Sequence, residues 1–136
     1  TGVDISFNML EKAKQKNVYH TLIKDDITNY LSKKKLDYDL FVFADVLIYI
    51  GDASTMFKLI SNNLRRAKII FSVEDNLKES FFLEKSGRYS HSTKYIFDIC
   101  KKNNFDIAEQ VKVNLRIENE RHIAGKIYVL EFNPNL

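Results

Sequence analysis

The chain begins with Thr1–Ser6, TGVDIS, followed at once by FNMLEKA at positions 7–13. The pattern predicts a short buried strand, an acid (Asp4) at its carboxyl end, a serine cap (Ser6) and an amphipathic helix. In an open α/β sheet, ligands bind beyond the carboxyl ends of the strands, where a carboxylate can accept two hydrogen bonds from a ribose diol. Asp4 is therefore a candidate ribose ligand. The alternative is a solvated acid near a helix start, where the helix dipole favours it.

The composition predicts one compact domain over residues 1–136, with 45% hydrophobic residues and a net charge of +3. The charged residues are well mixed, so no nucleic-acid partner is expected. A single cysteine, Cys100, excludes an internal disulfide framework and suits the cytoplasm. No apolar run reaches the roughly 18–20 residues of a membrane span, and no leader pattern is present, so no membrane partner is expected.

The rest of the chain alternates between strand-like and helix-like apolar spacing. Strands are predicted at 18–24, 38–44 and 68–73, and helices at 7–16, 28–32, 52–64 and 93–102. Ser92 is expected to cap the last helix. The apolar faces that the helices are expected to bury comprise Phe7 and Leu10; Met56, Phe57, Leu59, Ile60 and Leu64; and Tyr95, Ile96, Ile99 and Cys100. Residues 40–44 are almost continuously apolar, which indicates burial on both faces of a parallel sheet. Segment 74–90 is expected to be irregular. Residues 106–117 and 123–132 predict an antiparallel hairpin, so the mostly parallel sheet ends in an antiparallel edge.

Four segments together resemble class I S-adenosylmethionine-dependent methyltransferases. They read GVDIS-x-x-ML-x-x-A, KDDI, YDLFVFADVLIYIGD and GRYSHS-x-x-Y, and the resemblance runs over nearly the whole chain. More narrowly, the chain is similar to methyltransferases that bacteria fuse behind tetratricopeptide repeats. The resemblance implies a Rossmann-like α/β fold with helices on both faces of the sheet. It also implies methyl transfer from S-adenosylmethionine, with S-adenosylhomocysteine as product.

The resemblance assigns the adenosine part of the cofactor to the first third of the chain. It implies that Asp4 binds both ribose hydroxyls and that Ile5 and Met9 wall the adenine. Asp26 would accept a hydrogen bond from the adenine amino group, and the Ile27 N–H would face a ring nitrogen. Two alternatives stay open: Asp26 could simply cap the following helix, and Ile5 and Met9 could be core residues.

The resemblance also implies that Ala44 and Asp45 flank the methionine part of the cofactor and that Val46 leads toward the methyl group. Asp45 could instead be an end-of-strand acid without a ligand. Tyr49 and the pair Tyr89 and His91 are candidates for the acceptor side.

A lone histidine before a helix cap is more often structural. The three histidines and Cys100 lack ligand-like spacing, so no metal site is expected. No residue is assigned as a catalytic base.

One departure from the family concerns the glycine-rich loop G-x-G-x-G, which cradles the cofactor's methionine end. The four glycines here, Gly2, Gly51, Gly87 and Gly125, are all isolated. The family's first strand, central in its sheet, is also missing. The natural protein is therefore expected to extend further at its N-terminus. The alternatives are a rearranged sheet, or an oligomer that fills the gap left in the sheet by the missing strand.

Three functions remain open at this stage. The leading one is methyl transfer to an unidentified acceptor, a small molecule or a protein. The second is an inactive methyltransferase-like binding or assembly module, which the missing glycine loop favours. The third is a nucleotide-dependent oxidoreductase, because an acid after the second strand also binds the NAD ribose.

Overall fold

The structure, a computed structural model, describes residues 1–33, 36–63 and 67–133. The chain forms two compact units, Thr1–Leu36 and Asp37–Leu136. Leu64, which the sequence places in an apolar helix stripe, lies outside the described residues. None of the described helices, of which the longest have ten residues, is long and apolar enough to cross a membrane.

The first unit is a β-α-β-α segment, as its sequence predicts. Its elements are β1 (Gly2–Asp4), α1 (Phe7–Gln15), β2 (Leu22–Lys24) and α2 (Ile27–Leu31). The two strands are parallel, with Asp4 opposite Lys24. Ser6 caps α1, because its hydroxyl accepts from the Met9 N–H. The acid at the end of β1 and the start of α1 are therefore fixed side by side.

Two details of this unit differ from the sequence prediction. The second strand begins at Leu22 rather than Val18, because β1 has only three residues and pairs with three. Val18 and Tyr19 are exposed. Phe7, at the first turn of α1, is exposed as well, so Leu10 is the buried residue of this helix.

The second unit opens with the strand β3 (Leu40–Phe43). A 3₁₀ turn at Leu47–Tyr49 separates β3 from α3 (Ser54–Asn63). The remaining elements are β4 (Lys68–Asn76), β5 (Phe81–Leu83), β6 (Tyr89–Ser92), α4 (Thr93–Lys102), β7 (Phe105–Glu118) and β8 (Arg121–Phe132).

Strand β4 is the centre of this unit's sheet. One edge of β4 pairs antiparallel with β8 over Lys68–Glu74. The other edge pairs in parallel with β3 along its first half and with β6 at Glu74–Asn76. Strand β7 lies outside β8, and β5 lies outside β6. The sheet is therefore mixed: its pairings are parallel along one edge of β4 and antiparallel along the other edge and at the outer strands β5 and β7.

The prediction that β3 is buried on both faces is wrong for this structure. Phe41 and Phe43 are buried, whereas Leu40 is 48% and Val42 60% exposed. Among the described strands β3 pairs only with β4, so it is an edge strand. An edge strand packed on one face shows this alternation.

The prediction that residues 74–90 are irregular is also wrong. Strand β4 runs on to Asn76, and β5 and β6 form an antiparallel hairpin in which Phe81 lies opposite His91. Gly87 in the connecting turn has φ +78°, a conformation that glycine adopts without steric cost. The polar composition of this turn hid two very short strands.

The predicted C-terminal hairpin is confirmed. Its two turn residues, Asn119 and Glu120, both have positive φ values, of 48° and 63°. Two consecutive left-handed residues are the geometry of a type I′ turn, whose twist suits antiparallel strands.

The predicted helix faces form the core of the second unit. Met56, Phe57 and Ile60 of α3 are buried, and so are Ile99 and Cys100 of α4. The α4 cap is confirmed too, since the Ser92 hydroxyl accepts from the Tyr95 N–H at 3.1 Å. The core therefore lies between the two helices and one face of the sheet.

Candidate functional site

The Asp4 carboxylate is held at the junction of β1 and α1. Its Oδ1 accepts from the Ser6 N–H at 2.7 Å. Within residues 1–33, Oδ2 has no hydrogen-bond or ion-pair partner. The side chain is therefore oriented by one oxygen and offers the other, together with the second lone pair of Oδ1, to a ligand.

Ile5 and Met9 flank this acid, and both are exposed. Ile5 is 68% and Met9 52% accessible, so neither is a core residue. Exposed apolar side chains beside an oriented carboxylate are a suitable surface for a flat heterocycle joined to a polar sugar.

Asp26 caps α2, which is the alternative that its sequence context left open. Its Oδ1 accepts from the Thr28 N–H at 2.8 Å and from the Asn29 N–H at 3.1 Å. Both bonds use the same oxygen, so Oδ2 remains available. Ile27 is the first residue of α2, and its N–H has no acceptor within the helix. Capping and ligand binding are therefore compatible at this position.

In the second unit, Asp45 follows β3 in an unusual backbone conformation. It has φ +54°, and its N–H donates to the Ser72 hydroxyl at 3.0 Å. A left-handed non-glycine residue costs about 1–3 kcal/mol and is concentrated at functional sites. Ala44 and Asp45 are exposed, and Val46 is half-buried. The acid that follows β3 is therefore in solvent, on a backbone that the Ser72 hydroxyl holds in place.

The loop that follows, Asp45–Ala53, is held by β6 and α4. His91 Nε2 lies 3.0 Å from the Gly51 carbonyl oxygen, and the Tyr95 hydroxyl accepts from the Ala53 N–H at 2.8 Å. The same hydroxyl donates to Asp52 Oδ1 at 3.0 Å. Three side-chain bonds thus fix the loop to a neighbouring strand and helix.

Burial and hydrogen bonding set the protonation of these groups. Burial is the main reason that the pKa of Tyr95 rises to about 12, so its hydroxyl keeps the proton that it donates to Asp52. Hydrogen bonds from Ser54 hold the pKa of Asp52 below its ordinary value. Burial raises the pKa of the Cys100 thiol to about 12, so this cysteine is not a nucleophile.

The three acceptor-side candidates lie in different environments. Tyr49, on the 3₁₀ turn, is 70% exposed. Tyr89 is half-buried against Gly51, where an added Cβ would lie 2.6 Å from its Cε1 atom. His91 is completely buried between Phe81 and Tyr95, so it does not face solvent. Its contact with Gly51 makes it a positioning residue for the loop.

Sequence reasoning missed the residues that hold this loop. Ser72, Tyr95 and the carboxylate of Asp52 as a partner of Tyr95 were not assigned to the site. Tyr95 stands at the end of the GRYSHS-x-x-Y segment, four residues after His91, which was the available signal. Ser72 gave none, because its partner lies 27 positions away. Among the described residues, no cluster of His, Cys, Asp or Glu could hold a metal ion.

We expect the buried His91 to make stability depend on pH. Burial lowers its pKa, so the native ring stays neutral while the unfolded chain takes up a proton below about pH 6.5. Stability should therefore be fully present above that pH and be lost as the pH falls, by at most about 1.4 kcal/mol per pH unit. Urea denaturation from pH 7.5 to 5.5, followed by circular dichroism, measures this slope.

His91→Gln keeps a donor for the Gly51 carbonyl and removes the titration, so its slope over this range should be smaller. His122→Gln, on the exposed turn end of β8, is the matched control and should retain the parent slope. Equal slopes for the parent chain and His91→Gln would contradict the assignment.

No protein-family model matches the sequence, and no curated protein matches it significantly. Solved structures do match. An O-methyltransferase from a trans-AT PKS multienzyme of Brevibacillus brevis, with bound S-adenosyl-L-homocysteine, is similar with a TM-score of 0.76 and 15% identity. That match covers 99% of this chain and 59% of the other.

Two further solved structures agree with this likeness. A SAM-dependent methyltransferase from Methanosarcina mazei matches 97% of this chain and 81% of its own length, with a TM-score of 0.73 and 13% identity. Magnesium protoporphyrin IX methyltransferase from Synechocystis PCC 6803, with bound SAH, matches 97% of this chain and 63% of its own, with a TM-score of 0.69 and 23% identity. The expected α/β methyltransferase fold with its antiparallel C-terminal strands is thereby confirmed.

Proposed function

We propose that this chain binds S-adenosylmethionine and serves methyl transfer to an unidentified small-molecule acceptor. The observation that carries the proposal is the oriented Asp4 carboxylate between β1 and α1, with Oδ2 free and with Ile5 and Met9 exposed beside it. The likeness to S-adenosylmethionine-dependent methyltransferases supports this at the level of the fold.

The residues of the first unit fit an adenosine group. Asp4 would accept from both ribose hydroxyls, since a carboxylate has lone pairs beyond the one used by Ser6. Ile5 and Met9 would cover the adenine ring. Asp26 Oδ2 would accept from the adenine amino group while Oδ1 caps α2, and the Ile27 N–H would donate to a ring nitrogen.

Within the second unit, the residues that follow β3 fit the methionine part of the cofactor. The exposed Asp45 carboxylate forms no ion pair among the described residues of its unit. A carboxylate and the backbone carbonyls at Ala44 and Val46 suit a ligand that carries an ammonium and a sulfonium group. The Ser72 hydroxyl fixes the backbone at this point.

In the proposed reaction, a nucleophilic atom of the acceptor forms a bond to the methyl carbon as the carbon–sulfur bond breaks. The products are the methylated acceptor and S-adenosylhomocysteine, and the acceptor's proton passes to solvent. The protein's contribution would be orientation, which can account for a large part of such a barrier. The bonds that hold loop Asp45–Ala53 serve that purpose, and no side chain is assigned as base.

A binding module without catalysis is the second candidate. The observation that favours it is the isolation of all four glycines, so that the sequence contains no G-x-G-x-G segment for close backbone approach to the cofactor. Titration calorimetry with S-adenosylmethionine and S-adenosylhomocysteine tests binding, and release of S-adenosylhomocysteine in the presence of candidate acceptors tests catalysis. Heat uptake with NAD alone would favour an oxidoreductase and contradict both.

We expect Asp4→Asn to weaken binding of S-adenosylhomocysteine about 10- to 100-fold, the loss of charge-assisted hydrogen bonds to the ribose. Asparagine retains an Oδ1 acceptor for the Ser6 N–H, so the start of α1 should be preserved. Titration calorimetry on the parent and the variant measures the ratio of dissociation constants.

Glu11→Gln is the matched control, because it removes one exposed carboxylate from the same unit. It should leave the dissociation constant unchanged. Equal affinities for the parent chain and Asp4→Asn would reject the ribose role of Asp4.

Three further properties stay predictions. They are the likeness to methyltransferases fused behind tetratricopeptide repeats, an N-terminal extension, and a cytoplasmic location. The coding sequence upstream of Thr1 tests the first two. A strand followed by G-x-G-x-G there would support the extension, and helical repeats before it would support the fusion.

A further inference from the structure

An open cleft of about 1000 Å³ lies between the β5–β6 hairpin and the turn of the β7–β8 hairpin. We call it the hairpin cleft. Its apolar lining comes from Phe82, Leu83 and Ile123, of which the first two are largely exposed. A concave surface of this size with apolar and charged walls suits a small-molecule ligand.

Of the three carboxylates that line the hairpin cleft, two are in ion pairs. Glu74 Oε2 lies 2.7 Å from Arg116 Nη2, and Glu118 Oε2 lies 2.8 Å from Arg88 Nη1. Arg116 Nε also donates to Glu118 at 3.1 Å. Glu84 accepts from the Ser90 hydroxyl at 2.5 Å. The negative charges of Glu74 and Glu118 are therefore balanced within the protein, whereas the partner of the Glu84 carboxylate is a neutral hydroxyl.

The three cations that line the cleft, in contrast, are not in ion pairs within the described parts of the chain. Lys78, Lys85 and Arg121 form no ion pair with any described residue, and Lys78 Nζ lies over the Phe82 ring. Arg88 and Arg116, which pair with Glu118 and Glu74, do not themselves line the cleft. Beside these ion pairs, and among the described residues, three unpaired cations stand against one carboxylate that is in no ion pair, Glu84, an excess of two positive charges. Like charges converging on one concave surface favour an anion in it.

We propose that the hairpin cleft binds a small organic anion that carries an apolar group, such as an aryl carboxylate. The apolar group would pack on Phe82, Leu83 and Ile123, and the carboxylate would pair with Lys85 and Arg121. This site lies wholly within the second unit, and the proposal does not depend on S-adenosylmethionine binding.

Three probes distinguish the contribution of the negative charge from that of the apolar ring. They are phenylacetate, its neutral isostere phenylacetamide, and acetate, which lacks the ring. Amide shifts in ¹H–¹⁵N spectra of the whole chain report where each probe binds. We expect phenylacetate to give saturable shifts at residues 82–86 and 118–123. Phenylacetamide and acetate should bind more weakly, and added salt should weaken phenylacetate.

Charge-removing variants test the role of the cations. Lys85→Gln and Arg121→Gln should each weaken phenylacetate binding about two- to fivefold, the range for exposed ion pairs. Lys101→Gln, an exposed lysine on α4, is the matched control and should bind like the parent. All three changes lie on the surface, so the unliganded spectra should show an intact fold.

Any one of four results would overturn the proposal. Equal binding of phenylacetate and phenylacetamide, or unchanged affinity in both cation variants, would exclude an anion site. Absence of saturable shifts, or shifts confined to residues outside the cleft, would exclude the cleft as a binding site.

Discussion

Phe57→Ala is expected to destabilise the chain by about 3–5 kcal/mol, the range for removing a fully buried aromatic ring. Phe57 is completely buried on α3. Its ring packs edge-on against Phe71 of β4, with centroids 5.6 Å apart, and against Phe105 of β7 at 6.1 Å. One side chain thus joins α3 to two strands of the sheet, and its loss would leave a cavity between them.

The measurement is urea denaturation at pH 7.5, followed by far-ultraviolet circular dichroism. Phe97→Ala is the matched control, because Phe97 also lies on a helix but is 57% exposed. Its loss should cost less than about 1 kcal/mol. If Phe57→Ala lowers the free energy of unfolding no more than Phe97→Ala does, the packing of Phe57 against Phe71 and Phe105 is not part of a fixed core.

Features with local causes could be predicted from the sequence. The caps at Ser6 and Ser92 were correct because a serine hydroxyl next to a helix start has a nearby N–H to accept from. The C-terminal hairpin was correct because two long β-rich runs flank a short polar turn. The place of Asp4 at the end of a strand was also correct, because a short apolar run precedes it and a helix cap follows.

Features with distant causes could not be predicted. The exposure of Val42 depends on which elements pack on that face of β3, and nothing within residues 40–44 encodes that. Strands β5 and β6 have three and four residues, too short for a periodic signal. Strand β6 is fixed by pairing with β4, and β5 by pairing with β6. The Asp45–Ser72 contact likewise depends on the register of β3 against β4.

The candidate site likewise combines features with local causes and features with distant causes. Sequence reasoning proposed residues that could touch a cofactor, because their chemistry is visible in their type and position. It did not find the residues that hold them, because a hydroxyl such as that of Tyr95 has meaning only beside the loop that it binds. His91 illustrates the difference: its type suggested an acceptor-side role, and its burial makes it part of the support.

Asp75→Ala is expected to lower the free energy of unfolding by about 3–5 kcal/mol, because it leaves a buried cation without its partner. Lys126 of β8 is only 8% exposed at its side chain, and its Nζ lies 2.7 Å from Asp75 Oδ1 of β4. The remaining bond, to the Thr93 hydroxyl at 2.5 Å, is to a neutral group and does not balance the charge.

The double variant Asp75→Ala, Lys126→Met distinguishes charge burial from loss of a contact. Methionine fills the lysine's space without its charge, so the double variant should regain most of the stability that Asp75→Ala loses. Asp98→Ala is the control: its partner Lys94 is 3.6 Å away and both side chains are 64% exposed, so the change should cost less than about 1 kcal/mol. If the double variant is as unstable as Asp75→Ala alone, the cause is lost packing around β4 and β8 rather than an unpaired charge.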